Sequence, residues 1–223
     1  MNLRSLFIII ILFFVGFSFH LSANNYNFGD NELMMLPTAD TLPKGSIIFS
    51  NYELSLFNLT VGISKNVQIG LSGLFPSGGE DDKGGVFLCV KHRIINRKKF
   101  KIAAWGSGNT SGFLAGGVAS YGTEKTNVHI GMGVFHYKTG RISEVWNSLF
   151  FMAGIRQKLT KSIFLIGEYY SRFRYEDLSK GIVSGGCRLK FNKLLFDLGG
   201  VYGVIVDNDH IFFPYLKVSL LIK

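Results

Sequence analysis

The sequence contains little proline and almost no cysteine. Four prolines in 223 residues exclude a proline-rich or disordered chain. The two cysteines, Cys89 and Cys187, fall inside predicted strands and lack the spacing of metal ligands. We expect them to serve as small apolar residues, with a disulfide as the alternative that a secreted chain would permit.

The sequence also lacks the motifs of cofactor and metal sites. Gly106, Gly108 and Gly112 are not followed by the lysine and helix that a phosphate-binding loop requires. No two histidines stand at zinc-binding spacing on a helix. We therefore expect no cofactor and no metal.

No dense run of one charge occurs, although the formal net charge is +9. The basic residues are scattered through short predicted turns, so we expect no nucleic-acid partner. What the chain does have in quantity is phenylalanine, with 21 residues, and glycine, with 27. Glycine weakens ordinary strands and helices, so its abundance beside so many aromatic residues needs a structural reason.

The N-terminus has the pattern of a secretory signal peptide. A short positive region ends at Arg4, an apolar run follows over residues 6–19, and Leu21-Ser22-Ala23 precedes a polar start at Asn24. We assign residues 1–23 to the signal peptide. An uncleaved membrane anchor is the alternative, but the run is shorter than the roughly 20 residues of a membrane-spanning helix.

The rest of the chain alternates between predicted strands and turns. Most segments have the length that a tilted transmembrane strand needs, roughly 9–11 residues, rather than the five or six of soluble strands. Twelve strands are predicted, with ten as the alternative: 45–54, 57–64, 67–75, 85–95, 99–107, 113–121, 127–137, 147–159, 162–173, 181–191, 194–204 and 212–222.

The connections between these strands alternate in length. Tight turns such as 64–66 and 192–193 follow the even-numbered strands, and longer loops such as 76–84 and 174–180 follow most odd-numbered ones. This is typical of bacterial outer-membrane barrels. The sequence predicts an all-β, transmembrane antiparallel up-and-down barrel over residues 45–223, preceded by a periplasmic N-terminal lead-in over 24–44.

Side-chain alternation supports the barrel. In the seventh strand Val128, Ile130 and Met132 share one face, and His129 and Gly131 the other. Glycines on the inward face would make room for the side chains of a narrow lumen. We therefore predict an apolar face towards lipid and a small or polar face towards the lumen.

Four charged residues in neighbouring strands alternate in sign. They are Arg156, Glu168, Arg188 and Asp197. A charge facing mid-membrane lipid costs roughly 2–4 kcal/mol, so we place all four in the lumen. We predict that they form an ion-pair ladder across strands eight to eleven. The alternative is that they are unrelated charges near strand ends.

The start of the mature chain carries a resemblance. Leu36-Pro37-Thr38-Ala39 leads into the first strand, and Asn66-Val67-Gln68-Ile69-Gly70-Leu71 precedes a Phe75-Pro76 loop entry. Over residues 36–76 the chain resembles uncharacterised bacterial outer-membrane β-barrel proteins that are porin-like. The resemblance implies a Gram-negative outer-membrane barrel and brings no catalytic or ligand residues with it.

The C-terminal strand suggests an assembly partner. Its apolar residues alternate as in strands that the barrel-assembly machinery recognises, although the chain ends on Lys223 rather than on an aromatic residue. The alternating residues are Leu216, Val218, Leu220 and Ile222. We expect this machinery and outer-membrane lipid as partners, with small solutes as a further one. The sequence does not set the oligomeric state.

Three functions remain open at this stage. One is a structural or surface barrel with a filled lumen, and another is a small passive channel for small solutes. We do not expect an enzyme. The third function, kept as the alternative, is a lipid-modifying or hydrolytic membrane enzyme, in which His129 or His136 would act with Ser120 or Ser148.

Overall fold

The computed structural model describes residues 28–53, 56–74, 85–110, 112–138, 145–173, 181–204 and 210–223. Every regular element in these ranges is a β-strand. The strands are β1 (Ile47–Tyr52), β2 (Leu56–Gly62), β3 (Val67–Leu74), β4 (Val86–Asn96), β5 (Phe100–Asn109), β6 (Gly112–Gly122), β7 (Thr126–Lys138), β8 (Val145–Lys158), β9 (Ile163–Phe173), β10 (Gly181–Phe191), β11 (Leu194–Val204) and β12 (His210–Leu221).

The sheet closes on itself. Each strand pairs antiparallel with the next in the chain, and β1 pairs with β12 through a register that includes Ser50 opposite Ser219. Closure removes the unpaired edges that an open sheet would expose. The predicted fold class is confirmed: an up-and-down antiparallel barrel of twelve strands rather than ten. Within the described ranges no helix is long and apolar enough to span a membrane.

The two ends of the barrel differ in their connections. The end where β1 begins, which we call the near end, carries the turns 63–66, 97–99, 123–125, 159–162 and 192–193. Residues 53–55, 75–85, 110–111, 139–144, 174–180 and 205–209 connect strands at the opposite, far end. Four of those six far-end connections are longer than any near-end turn, as the sequence predicts.

The two faces of the wall differ in polarity. Large apolar side chains such as Leu88, Ile130 and Met132 are more than half exposed on the outside. The alternate positions point inward, where polar and charged side chains such as His129 and Lys91 are buried. The predicted alternation along the seventh strand is confirmed. Buried polar side chains need partners, and the inside of the barrel supplies one for Nδ1 of His129 and two for Lys91.

Residues 28–42 lie inside the barrel, and we call them the luminal segment. The sequence predicts a periplasmic lead-in over 24–44, whereas the structure buries Leu33, Met34 and Leu42 completely against the inner wall. Packing these apolar side chains removes them from water, and the polar backbone of the segment meets charged groups on the wall. These gains explain why the segment enters the lumen instead of lying beneath it.

Candidate functional site: the occupied lumen

The luminal segment forms a loop that enters and leaves at the near end. Phe28 at its start packs with Leu42 at its end, beside Leu195 and Leu221 at the near ends of β11 and β12. Inside the loop the backbone N–H of Thr38 donates to the carbonyl of Asn31 at 3.3 Å. The tip of the loop, residues 34–36, therefore lies deepest in the barrel.

Arg188 on β10 is the most heavily bonded side chain of the wall. Its guanidinium donates two hydrogen bonds to Asp197, directly opposite on β11, at 2.7 and 2.8 Å. It also donates to three carbonyls of the luminal segment, those of Gly29, Glu32 and Leu33, at 2.5, 3.0 and 2.8 Å. All five bonds are charge-assisted, so one arginine joins two strands and the luminal segment.

Lys217 on β12 binds the same part of the segment. Its Nζ lies 2.6 Å from a carboxylate oxygen of Glu32 and 3.8 Å from Asp197. The ammonium sits 4.8 Å from the ring centre of Tyr52, whose hydroxyl donates to the other oxygen of Glu32 at 3.1 Å. Lys217 is almost completely buried, and these contacts compensate for the loss of its hydration.

The tip of the loop is held by its backbone. Glu168 on β9 accepts the N–H groups of Met35 and Leu36, each at 3.0 Å. Ser184 on the neighbouring strand β10 donates to Glu168 at 2.7 Å. A carboxylate that accepts three such bonds is well satisfied although it is buried. Its role in the structure is therefore to anchor the luminal segment.

Two acidic side chains of the segment pair with the wall. Arg156 on β8 forms an ion pair with Asp30, and Lys101 on β5 lies 2.6 Å from Asp40. Arg93 on β4 lies 3.6 Å from the same oxygen of Asp40. Burial raises the pKa of Asp30, and the charge of Arg156 opposes that shift. Asp30 is therefore protonated at a higher pH than an exposed aspartate.

The predicted ladder of four charges is only partly continuous. Arg188 and Asp197 are opposite and paired. Glu168 is opposite Ser184, four residues before Arg188 on β10, a distance of roughly 13 Å along a strand. Arg156 directs its charge to the luminal segment instead. The four residues all face the lumen and are buried, but three of them bind residues 29–36.

Some of these contacts have no counterpart in the predicted site. The sequence pattern did not predict Asp30, Glu32 and Asp40 as partners of the wall. Nor did it predict Tyr215, whose hydroxyl donates to the carbonyl of Met34 at 2.6 Å. One signal was available. The lead-in carries three acidic residues among apolar ones, whereas the strands carry an excess of inward cations.

Ser120 and His129 are neighbours inside the lumen. The Oγ atom of Ser120 lies 2.7 Å from Nδ1 of His129 and accepts the backbone N–H of Ala39 at 2.9 Å. Nε2 of His129 has no hydrogen-bond partner among the described residues. Because the luminal segment covers the pair, this geometry gives no support to hydrolysis. His136 stacks on Phe113 instead, with ring centres 5.2 Å apart.

An apolar layer crosses the middle of the barrel. Phe150 lies between Trp105 and Tyr170, with ring centres 5.9 and 5.5 Å away. Met152 and Leu36 of the luminal segment pack into the same cluster. The layer adds apolar contacts to the polar ones that hold the tip of the loop.

A cavity remains beside the luminal segment. It has a volume of about 190 Å³ and lies against strands β1 to β5, where its lining includes Glu32, Asn58, Gln68, Cys89 and Lys91. Such a volume holds several water molecules. The luminal segment therefore leaves this side of the lumen partly unfilled.

Neither cysteine is paired, and they point in opposite directions. Cys89 faces the cavity, with its sulfur 3.3 Å from Ser72 Oγ and 3.2 Å from Ser107 Oγ. Cys187 occupies the position next to the inward-facing Arg188 and so lies on the outer face. In the part of the chain that is described, no group of three or more His, Cys, Asp or Glu residues is arranged for a metal ion.

Comparison with known proteins shows the fold. No family model matches the sequence, and no curated protein matches it. Ten chains of solved structures do match. One is described as "NanC porin structure in rhombohedral crystal form"; it has a TM-score of 0.52 and 10% identity, and the match covers 80% of this chain and 98% of that one. At this identity the likeness identifies a porin-like β-barrel fold.

Proposed function

We propose that this protein is an outer-membrane barrel that conducts small solutes passively and that its own luminal segment keeps closed. A membrane location is supported by the outer face, where Val90, Ile130 and Met132 are exposed near the middle of long strands. A belt of this kind is unfavourable in water. Closed barrels are the one β-structure whose backbone is fully satisfied within lipid. Outer-membrane lipid is the partner that this belt would contact.

The choice between a channel and a filled structural barrel depends on what fills the lumen. Wall side chains alone fill small barrels of about eight strands. Here the wall behind the luminal segment is charged and polar, with Lys91, Arg156, Arg188 and Lys217 buried there. A separate segment, which continues into β1 and is not itself a strand of the sheet, covers these groups. This observation carries the proposal, because a polar wall that is covered by a segment outside the sheet is suited to an aqueous path.

The hydroxyl of Tyr215 offers a test of closure. Tyr215→Phe removes the bond to the carbonyl of Met34 and leaves every charge of the wall in place. A buried hydrogen bond of this kind contributes roughly 1 kcal/mol, so we expect channel openings in a planar lipid bilayer to become about five times more frequent than in the wild type.

Tyr121→Phe is the matched control, because Tyr121 is exposed on the outer face. It should leave the opening frequency unchanged. If the wild type and both variants pass no current at any voltage, the structural or surface barrel with a filled lumen becomes the better account.

Location is tested separately. In a Gram-negative host we expect the processed chain in the outer-membrane fraction, with a band that shifts on a gel only after heating, as closed barrels resist detergent until they unfold. The signal peptide predicted over residues 1–23 lies outside the described residues, so its cleavage is best read from the mass of the processed chain. Recovery of the protein in the aqueous fraction would contradict the membrane assignment.

A further inference from the structure

The inner wall carries an excess of positive charge where it meets the luminal segment. Among the described residues, six cationic side chains contact the segment, and two wall carboxylates, Glu168 and Asp197, lie among them. The wall therefore has four more positive than negative charges at this level. The cations are Lys91, Arg93, Lys101, Arg156, Arg188 and Lys217.

The luminal segment supplies carboxylates at three separate places on this wall. Asp30 binds Arg156 on β8, Glu32 binds Lys217 on β12, and Asp40 lies between cations of β4 and β5. Three of the four excess charges are thereby neutralised. The segment acts on the wall as a tethered polycarboxylate.

Aromatic rings hold two of these cations in place. Arg156 lies over the ring of Phe164 at 5.7 Å, and Lys217 over the ring of Tyr52 at 4.8 Å. Cation–π contacts of this kind attract the charged groups without neutralising their charge. Buried cations that lose a carboxylate need another counter-charge, because an unpaired buried charge is costly.

We propose that the inner wall is a carboxylate-binding surface for small organic anions with two or three carboxyl groups, and that the luminal segment occupies it in their place. This inference rests on the proposed function, since it names the class of solute that would pass. Fixed positive charges in a narrow path surrounded by lipid concentrate anions and exclude cations. An anion that competes with Asp30 and Glu32 would also loosen the segment.

The first experiment measures binding of citrate to the full chain in detergent by calorimetry. The variant Asp30→Asn/Glu32→Gln removes two carboxylates of the segment at nearly constant shape. We expect it to bind citrate at least about tenfold more tightly than the wild type, the factor that one charge-assisted hydrogen bond supplies. Glucose should bind to neither protein. Equal citrate affinity in the variant and the wild type would overturn the inference.

Two further variants make the comparison specific. Glu53→Gln/Glu124→Gln changes net charge by the same amount at two exposed positions and should behave as the wild type. Adding Arg156→Gln to the first variant should remove part of its gain in citrate affinity, because one of the two cations that this variant frees is then absent. Retention of the full gain would count against the assigned surface.

A separate measurement leaves every luminal residue unchanged, so it tests the inference even if the double variant does not fold. In a Cys187→Ala background, citrate should accelerate the reaction of Cys89 with a hydrophilic thiol reagent, and glucose should not, since only the anion displaces the segment, whose Met35 and Pro37 line the same cavity as Cys89. An unchanged rate would overturn the inference.

Bilayer recordings separate the inference from the proposed function. Open channels in a potassium chloride gradient should give a reversal potential that favours chloride, and a preference for potassium would overturn the inference. A barrel that binds citrate but never conducts would overturn the channel and leave the carboxylate-binding surface supported.

Discussion

Replacement of Arg188 by alanine is expected to lower the free energy of unfolding by about 3–5 kcal/mol, the cost of removing one member of a buried ion pair. The side chain donates two bonds to Asp197 and three to carbonyls of the luminal segment. Without it, the carboxylate of Asp197 is left with Lys217 at 3.8 Å. Urea unfolding in lipid vesicles, followed by the heat-dependent gel shift, measures the change.

Two further variants serve as comparisons for Arg188→Ala. Arg97→Ala removes an arginine from an exposed near-end turn and should change stability by less than about 1 kcal/mol, as exposed charges usually do. Arg188→Lys keeps the charge but loses the planar fork that bonds to Asp197 twice, so an intermediate loss is expected. If Arg188→Ala is as mild as the turn variant, the bonds described for this side chain do not hold the luminal segment.

Replacement of Gly154 by valine is expected to displace the luminal segment. Gly154 on β8 faces the lumen, and a Cβ atom there would collide with Cδ1 of Leu33. The neighbouring Gly167 on β9 points the other way, and a Cβ atom there would meet only Ile155, at 3.4 Å. The valine therefore acts on the segment rather than on the wall.

Reactivity of Cys89 measures the displacement. In a Cys187→Ala background, Gly154→Val should accelerate labelling of Cys89 by a hydrophilic thiol reagent by at least about tenfold, which corresponds to 1.4 kcal/mol of lost closure. Gly167→Val is the control and should leave the rate unchanged. Adding Leu33→Ala to Gly154→Val removes the colliding carbon and should slow labelling again. Fast labelling that persists in this double variant would mean that the wall itself had opened.

The fold of the barrel could be predicted from the local sequence pattern to a greater extent than the contacts of the site. The outward positions of β7, such as Ile130 and Met132, alternate with His129, and this alternation appears in the sequence because adjacent strand residues point to opposite faces. The inward placement of Arg188 and Asp197 follows for the same reason. Their pairing was predictable as well, because neighbouring strands joined by the turn at 192–193 fix their register.

The partners of Arg156 and Glu168 did not follow from local pattern. The first binds Asp30, which is 126 residues away in the chain, and the second binds the backbone of Met35 and Leu36, more than 130 residues away. Such contacts cross the lumen and connect elements that are not neighbours in the sheet. No periodicity within one strand encodes them.

The sequence by itself determined an antiparallel barrel with an apolar outside and a polar inside, because alternation, strand length and turn length are local properties of the chain, but it left ten or twelve strands open. Only the tertiary structure decided what the lumen holds. Closure of β1 on β12 creates an enclosed, positively charged space, and the luminal segment enters it because its carboxylates and backbone satisfy charges that would otherwise be buried without partners.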